Sequence, residues 1–389
     1  MGTIYMRNRC NARKRGERCA YKLCYVLRMR NPVRNIAEPI SNGAGFWQQL
    51  PRPFFALAPM EDVTDAAFRR IIAQKGKPDV TFCEFTSADG LALADEKGQK
   101  KLRRKLLFSE IERPVVAQFF TAVPEHMEYA AKLAAEMGFD GVDINMGCPD
   151  RAVEKSHCGA AMIKNPALAR EIIRAAKHGW QSGKSDSPAS NPGGSTSRVG
   201  RLPVSVKTRL GYSEDQLEEW LPELLKEELA AVTIHARTRN EMSLVPARWE
   251  RIKRAVEIRD AVQGESLDKT LIIGNGDLRN IADAEQKVVA SGADGAMLGR
   301  AIFGNPWLFS NREKSPERSG GIGPKEKMET LAEHIKLFDG LMGDVQHFAV
   351  MKKHFKAYIS GWDGAKELRV RLMETDTAGQ AIAILASMQ

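Results

Sequence analysis

One pattern repeats along the chain from Phe54 to about Phe309: a short apolar run, a polar or glycine-containing turn, and a longer amphipathic stretch. This pattern is typical of βα units that form a parallel sheet. The apolar runs are Phe54–Ala58, Val80–Glu84, Val115–Phe119, Gly141–Asn145, Val204–Lys207, Ala231–His235, Leu271–Gly274 and Gly295–Gly299. Eight units over roughly 250 residues predict a closed (β/α)8 TIM barrel. A doubly wound sheet would need a glycine-rich loop after its first strand, and the sequence lacks one.

The chain of 389 residues leaves room for a second, smaller unit beside the barrel. We predict a disordered basic extension over 1–45, a catalytic barrel domain over 46–312 and a small all-α domain over 326–389. Two apolar helical faces mark the all-α part, one formed by Leu331, His334, Ile335 and Phe338 and one by Phe348, Met351, Phe355 and Tyr358. Residues 181–200 are rich in Ser, Gly, Pro and Asn, which predicts a disordered surface insertion without chemistry.

The net charge of +9 is concentrated at the amino terminus, where residues 1–45 carry ten lysines and arginines against two acidic residues. A nucleic-acid surface on the folded part therefore requires local clusters of basic residues. One cluster consists of Lys100, Lys101, Arg103, Arg104 and Lys105, and the other of Lys352, Lys353, Lys356, Lys366, Arg369 and Arg371. Each cluster is either a phosphate-binding surface or an ordinary solvated helix face.

Six cysteines at irregular spacing form no disulfide framework, and no secretory signal is recognisable. Free thiols in a reducing compartment are therefore expected. No apolar run approaches the roughly 20 residues that cross a bilayer, which predicts a soluble protein without a membrane partner. We expect a cytoplasmic monomer that binds no metal. An organellar location is the alternative if the arginine-rich amino terminus is a transit peptide.

Polar or glycine-containing groups follow every predicted strand. They are Pro59-Met60-Glu61, Glu84, Gln118, Asn145 with Cys148, Lys207, His235 with Arg237, Asn275-Gly276-Asp277, and Gly299-Arg300. The active site of such a barrel lies at the carboxyl ends of its strands, so we expect these groups to face one ligand. The last two groups offer backbone N–H groups that only glycine lets approach a ligand closely, together with one cation. Because these loops often hold phosphate in such barrels, they favour a phosphorylated cofactor.

Three side chains at this end of the barrel indicate chemistry. Lys207 ends an apolar strand and needs an anion nearby, either a flavin ring that gains negative charge on reduction or the carboxylate of Glu84. His235 closes the next strand, and the neighbouring Arg237 favours an anionic ligand there. Cys148 lies in a Gly/Pro loop just past the fourth strand. By residue type it could be an inert buried thiol, but its position favours a proton donor or a reactive thiolate.

The order and content of these motifs resemble the tRNA-dihydrouridine synthase family. The matching segments are 57–65 (LAPMEDVTD), 143–149 (DINMGCP), 204–211 (VSVKTRLG), 234–238 (IHART), 274–277 (GNGD) and 294–300 (DGAMLGR). Val153, Gly159 and Ala161 keep the family's spacing after the cysteine. The resemblance covers about residues 46–310. Many members have Gly where this chain has Ala236, and neither 1–45 nor 181–200 has a counterpart that we can match.

The resemblance implies an enzyme that reduces the C5=C6 bond of a tRNA uridine to 5,6-dihydrouridine, with FMN as cofactor and NADPH or NADH as reductant. The positions that match FMN contacts are Pro59, Met60, Glu61, Gln118, Lys207, His235, Asn275, Gly276, Asp277, Gly299 and Arg300. Cys148 matches the general acid, which protonates C5 while hydride is delivered to C6. A base stacked in tRNA cannot reach the bottom of a barrel mouth, so we expect the uridine to be flipped out.

Contacts with the tRNA substrate are expected in two regions. Asn145, on the same rim as Cys148, is the candidate for holding the pyrimidine edge, and Arg237 is a second candidate at the mouth. The helical domain is expected to grip tRNA phosphates through Lys352, Lys353, Lys356, Arg369 and Arg371. Two alternatives are an FMN barrel that acts on a small metabolite, which would not need the basic tail, and a non-catalytic tRNA-binding protein, which would not need Cys148 or Lys207.

Overall fold

The computed structural model of the chain describes residues 45–185, 202–266, 268–310 and 322–388. The predicted extension over 1–45, apart from Gly45, lies outside the described residues. So does most of the predicted insertion, from residue 186 onward.

Nine strands form one sheet in the described part of the chain. They are β1 (Phe54–Leu57), β2 (Val80–Phe82), β3 (Thr86–Ser87), β4 (Val115–Phe120), β5 (Gly141–Met146), β6 (Val204–Arg209), β7 (Ala231–His235), β8 (Leu271–Asn275) and β9 (Gly295–Leu298). All pairings are parallel, and β2 pairs with both β1 and β4, so eight strands close into a barrel with β3 beside β4. The predicted (β/α)8 barrel is confirmed, with each of its eight strands at the predicted apolar run.

Side chains of the strands alternate between the barrel interior and the layer beneath the helices. Phe54 and Met297 pack inside the barrel, whereas Ile144 and Val206 pack under the helices. Burial on both faces explains why the strands are nearly continuous apolar runs. The register sets the functional side chains at one level, because Asn145 lies opposite Lys207 on the neighbouring strand.

Thirteen α-helices surround or follow the barrel in the described residues. They are α1 (Ala66–Lys75), α2 (Ala88–Leu93), α3 (Glu96–Lys105), α4 (Pro124–Glu136), α5 (Arg151–Lys155), α6 (Pro166–Ser185), α7 (Leu217–Leu225), α8 (Trp249–Gln263), α9 (Ile281–Ser291), α10 (Pro324–Met342), α11 (Lys352–Tyr358), α12 (Ala365–Met373) and α13 (Ala378–Ala386). Short 3-10 helices cover Phe46–Gln49, Glu110–Glu112, Gly159–Lys164, Arg300–Ile302 and Phe348–Met351. Within these ranges no helix is long and apolar enough to span a bilayer.

Helix α6 corrects the predicted start of the insertion. The segment 181–185 was expected to begin a loop, but it forms the last turn of this helix. Its Gly183, together with Gly179 one turn earlier, lies against the backbone of α4. A Cβ atom would come 2.5 Å from the carbonyl oxygen of Lys132 at Gly183 and 2.1 Å from that of Glu128 at Gly179. These two glycines therefore allow close helix packing rather than marking a loop.

The helical tail packs on the outer face of α1. Both predicted apolar faces are buried, apart from the partly exposed Phe348. The ring of Phe68 on α1 stacks on His334 of α10, with ring centroids 5.0 Å apart. Barrel and tail thus share one hydrophobic cluster, and their division into two separately folding domains stays a prediction.

Candidate active site

A cavity of about 340 Å³ opens at the carboxyl ends of the barrel strands. Most of the side chains singled out in the sequence line it, namely Pro59, Met60, Lys207, His235, Arg237, Asn275, Gly276, Asp277, Gly299 and Arg300. Its size lies within the roughly 300–1,000 Å³ common for small-molecule sites. The sheet register and the loops after β1, β7, β8 and β9 therefore gather residues from separate parts of the chain around one space.

Positive charge dominates the wall of the cavity. Four cations, Lys207, Arg209, Arg237 and Arg300, line it together with one carboxylate, Asp277. That carboxylate accepts hydrogen bonds from both Arg237 and Arg300, the latter at 2.9 Å. Since one carboxylate cannot balance four cations, the lining fits an anionic ligand such as a phosphorylated cofactor.

Lys207 is a partly buried cation of this wall, and the Asp143 carboxylate only partly offsets the lowering of its pKa. Burial lowers its pKa to about 8, and the nearby Arg209 guanidinium contributes to the shift. The alternative partner, Glu84, does not provide the balancing charge. Both carboxyl oxygens of Glu84 are buried without a hydrogen-bond partner among the described residues, and burial raises the pKa of this carboxyl to about 8. Of the two partners considered for Lys207, the Glu84 carboxylate is therefore not supported.

His235 enters the cavity as a neutral ring. Burial lowers its pKa well below the usual value, and the neighbouring cations act in the same direction. Its Nε2 lies 3.2 Å from Nη1 of Arg237. A guanidinium has donors only, so Nε2 must accept this hydrogen bond and the proton must sit on Nδ1. The ring can thus offer an N–H group to a ligand.

Gly276 forms part of the cavity wall with a conformation that suits only glycine. Its φ is +124°, and a Cβ atom would come 2.8 Å from Cβ of Ala247 and 3.1 Å from Cδ2 of His235. Gly276 lines the cavity, and as a glycine it covers the main-chain amides of its loop with no side chain. Such amides are suited to bind phosphate oxygens, so the loop fits the phosphate of the predicted cofactor.

The loop that carries Cys148 lies beside this cavity rather than on its wall. Arg209, which does line the cavity, donates from Nε to the carbonyl oxygen of Gly147 at 2.7 Å. From the other side, Oδ1 of Asn145 accepts the main-chain N–H groups of Gly147 at 3.1 Å and Cys148 at 2.9 Å. Burial raises the pKa of the Cys148 thiol, so the group is protonated at neutral pH. A protonated thiol fits the predicted acid and not the predicted alternative of a thiolate.

Two of the predicted FMN contacts, Glu61 and Gln118, do not line the cavity. The carboxylate of Glu61 is bound by Lys105 of α3. Gln118 is fully buried inside the barrel, where its side chain bonds to Asp143 and Asn145. The geometry thus brings together nine of the eleven predicted contact positions and leaves these two outside the cavity wall.

Ion pairs and hydrogen bonds engage three of the five tail residues that were expected to bind phosphate. Lys352 lies 3.7 Å from Asp376, and Lys353 lies 3.8 Å from Asp62 in the loop after β1. Arg369 donates to a main-chain carbonyl within the tail at 3.0 Å. These contacts show structural roles for the three side chains. Their contact with tRNA stays a prediction.

The other two tail residues, Lys356 and Arg371, are exposed. Within the described residues neither lies within ion-pair distance of a carboxylate, although Arg371 lies 3.4 Å from the hydroxyl of Ser387. The basic cluster on α3 meets the tail at Asp344, which is 3.1 Å from Lys100 and 2.9 Å from Arg104. The basic cluster on α3 therefore contacts the tail, which the separation of the two segments in the sequence did not reveal.

Several residues of the cavity wall were not predicted from the sequence. Arg209 lies two residues beyond Lys207 on β6, and strand alternation places it on the same inward face. That signal could have identified it. Met242 and Ser243 reach the wall from the long loop after β7, where Met242 has a φ of +51°. No periodicity in the sequence marks these two positions.

Comparison with known proteins gives a consistent result. The family profile described as Dihydrouridine synthase matches residues 56–388. A protein of Bacillus subtilis (strain 168) named "Probable tRNA-dihydrouridine synthase 2" is 40% identical over 342 residues, which cover 87% of this chain and 95% of that protein. One of Staphylococcus aureus (strain COL) named "Probable tRNA-dihydrouridine synthase" is also 40% identical, over 87% of this chain and 94% of its own length.

Proposed function

The chain belongs to the dihydrouridine synthase family, and we propose that it reduces the C5=C6 bond of a tRNA uridine to 5,6-dihydrouridine. FMN is the proposed flavin, NADPH the proposed reductant and Cys148 the proposed proton donor. The observation that carries this assignment is the cation-rich cavity at the barrel mouth beside a loop that holds Cys148 as a protonated thiol. The alternative of a small-metabolite oxidoreductase is disfavoured by the family membership, as is the non-catalytic alternative. Cytoplasmic location, a monomeric state and metal independence stay predictions.

Several residues of the cavity would hold the cofactor. The main-chain amides at Gly276 and Gly299, with the side chain of Arg300, would bind its phosphate. Lys207 and the Nδ1–H of His235 would bind its ring. A bound flavin would supply the two-electron chemistry that links the nicotinamide reductant to C6 of the uracil.

The protein side of the reaction is a proton transfer. The thiol of Cys148 donates its proton to C5 of the uracil, which requires that the thiol is protonated at the working pH. The raised pKa of Cys148 meets this requirement. The uridine enters the barrel mouth only after leaving the tRNA stack. Of the two predicted substrate contacts, Arg237 lines the cavity, whereas Asn145 is buried and its amide bonds to Gln118, Gly147 and Cys148. Contact of either residue with the base stays part of the proposal.

The purified protein is expected to carry FMN and not FAD. The cavity has one region suited to phosphate, and the sequence contains no dinucleotide-binding fingerprint. Extraction of the cofactor followed by chromatography against both standards decides between them. Recovery of FAD, or a protein that binds neither flavin when supplied with both, would contradict the assignment.

Lys356→Glu together with Arg371→Glu is expected to weaken tRNA binding while the flavin remains bound. Both side chains are exposed, so their reversal replaces two phosphate contacts with repulsion. The slope of log affinity against log salt should fall by about one unit for each lost contact. Titrations of tRNA over a salt series measure this slope.

Lys226→Glu together with Lys269→Glu provides a control with the same change in charge. These residues precede β7 and β8, at the opposite end of the barrel from the cavity. The control should bind tRNA with nearly the wild-type salt slope. Equal slopes for the wild type and the tail variant would identify the tail cluster as an ordinary solvated surface.

A further inference from the structure

A buried set of polar side chains runs from the barrel interior to the Cys148 loop. It begins at Asp143, which lies on β5 and is fully buried. The Asp143 carboxylate accepts hydrogen bonds from Nε2 of Gln118 and from the hydroxyl of Ser205, each at 2.6 Å. An ionised carboxylate has no donor, so Gln118 must turn its NH2 group toward Asp143.

The orientation of Gln118 determines that of the next amide. With its NH2 group on Asp143, Gln118 presents Oε1 to Asn145, whose Nδ2 donates to it at 3.1 Å. Asn145 must then direct Oδ1 away from Gln118, where it accepts the N–H groups of Gly147 and Cys148. All of these hydrogen bonds run in one direction, which is set by the carboxylate at the inner end and by the two main-chain N–H donors at the outer end.

We propose that Asp143 is a positioning residue for Cys148, which acts by anchoring the inner end of this set of hydrogen bonds and, through the Gln118 and Asn145 amides, the backbone of the Cys148 loop. The role in uridine reduction rests on the proposed function, whereas the anchoring of the loop does not. If the Asn145 amide were reversed, its NH2 group would face the two main-chain N–H donors of the loop. Those two donors would then have no acceptor.

The same arrangement makes the anchor sensitive to acid. Burial raises the pKa of Asp143 to about 6, although Ser205, Gln118 and Lys207 all act to lower it. Lys207 on β6 is the charged group that faces it, while Gln118 on β4 and Ser205 on β6 are neutral. Below about pH 6 the carboxyl loses its charge, so its hydrogen bonds to Gln118 and Ser205 are no longer charge-assisted. The anchor is therefore strongest above this pH and weaker below it.

Asp143→Asn tests the proposal without a change of shape. An asparagine keeps the shape of the side chain but carries no charge, so its hydrogen bonds to Gln118 and Ser205 are weaker than those of the carboxylate. Alkylation of Cys148 by iodoacetamide, followed on its own peptide by mass spectrometry at about pH 8, should accelerate about 10-fold, as expected from the loss of one or two hydrogen bonds. Thr233→Val is the matched control. The buried hydroxyl of Thr233 has no hydrogen-bond partner among the described residues. Cys148 in this variant should be alkylated at the wild-type rate.

A second readout separates positioning from general destabilisation. Reoxidation of the reduced flavin by tRNA in a single turnover should slow about 10- to 100-fold in Asp143→Asn, because small misplacements of a catalytic group are costly. In the wild type this rate should fall below about pH 6. This fall in rate with pH should be absent in Asp143→Asn. It should move to higher pH in Ser205→Ala, because that variant lacks one hydrogen bond to the carboxylate.

The outcomes are distinguishable. The proposal would be overturned if Cys148 in Asp143→Asn were alkylated within about twofold of the wild-type rate. A change that small is less than the loss of one hydrogen bond would produce. If Asp143→Asn fails to fold, an unshifted pH step in Ser205→Ala would overturn it equally. A wild-type protein that does not reduce tRNA would refute the proposed function, and the alkylation rates alone would then decide whether Asp143 positions the loop.

Discussion

Cys148→Ala is expected to reduce uridine much more slowly, while the other steps of the catalytic cycle continue. The variant should bind FMN, accept hydride from NADPH and bind tRNA, because none of these steps uses the thiol. General acid catalysis contributes roughly 10²- to 10⁴-fold, so the rate of tRNA reduction should fall by that factor and not to zero. The main-chain N–H of residue 148 still bonds to Asn145 in the variant, so the loop itself should be retained.

Two half-reactions measured on one protein test this expectation. Bleaching of the flavin by NADPH and its reoxidation by tRNA are followed separately without oxygen. Cys158→Ala is the matched control, because Cys158 is a fully buried cysteine ten residues later in the chain and has no assigned role. Its truncation should cost about 1 kcal/mol of stability and leave both half-reactions near wild type. Wild-type reoxidation by tRNA in Cys148→Ala would exclude the acid role, and loss of FMN would show that the thiol is structural.

Gly276→Val is expected to remove the flavin from a protein that remains folded. The new Cβ would lie 2.8 Å from Cβ of Ala247, and a φ of +124° is unfavourable for a branched residue, so the loop must move. Hydrogen bonds to charged groups are worth about 1.5–3 kcal/mol each. Loss of two such bonds to the phosphate should weaken FMN binding roughly 10²- to 10⁴-fold.

Gly264→Val controls for backbone strain away from the cavity. Gly264 also has a positive φ, +57°, but a Cβ atom there would contact nothing within 4 Å. This variant should lose stability and keep its flavin. Fluorescence titration of the apo forms with FMN measures both affinities. Equal retention of FMN by the two variants would show that the Gly276 loop does not hold the phosphate.

The sequence predicted the barrel well because every strand is buried on both faces. Continuous apolar runs were therefore visible at all eight strands, and the order of the runs determined which loops share the carboxyl end. Strand β3 escaped detection because two residues carry no periodic signal. The carboxyl-terminal turn of α6 was predicted as a loop because glycine is common in loops. Here Gly179 and Gly183 instead permit close helix packing.

The candidate site was only partly predictable because partners distant in sequence cannot be inferred from strand ends. Both Lys207 and Glu84 were expected at the mouth, but their pairing depended on positions around the barrel that a linear pattern does not specify. The same limit applies to the tail, where Lys353 lies near Asp62 almost three hundred residues away. The hydrogen bonds that link Asp143, Gln118 and Asn145 likewise depend on the closed barrel.

The central claim is that this chain converts uridine in tRNA to dihydrouridine with its bound flavin. The most direct test incubates the purified, flavin-loaded protein with unmodified tRNA and NADPH, and then follows digested nucleosides by mass spectrometry. The account predicts a uridine that gains two hydrogens, with no gain if NADPH is omitted and a much slower gain with Cys148→Ala. A flavin-loaded protein that oxidises NADPH but leaves every uridine of its tRNAs unchanged would contradict it.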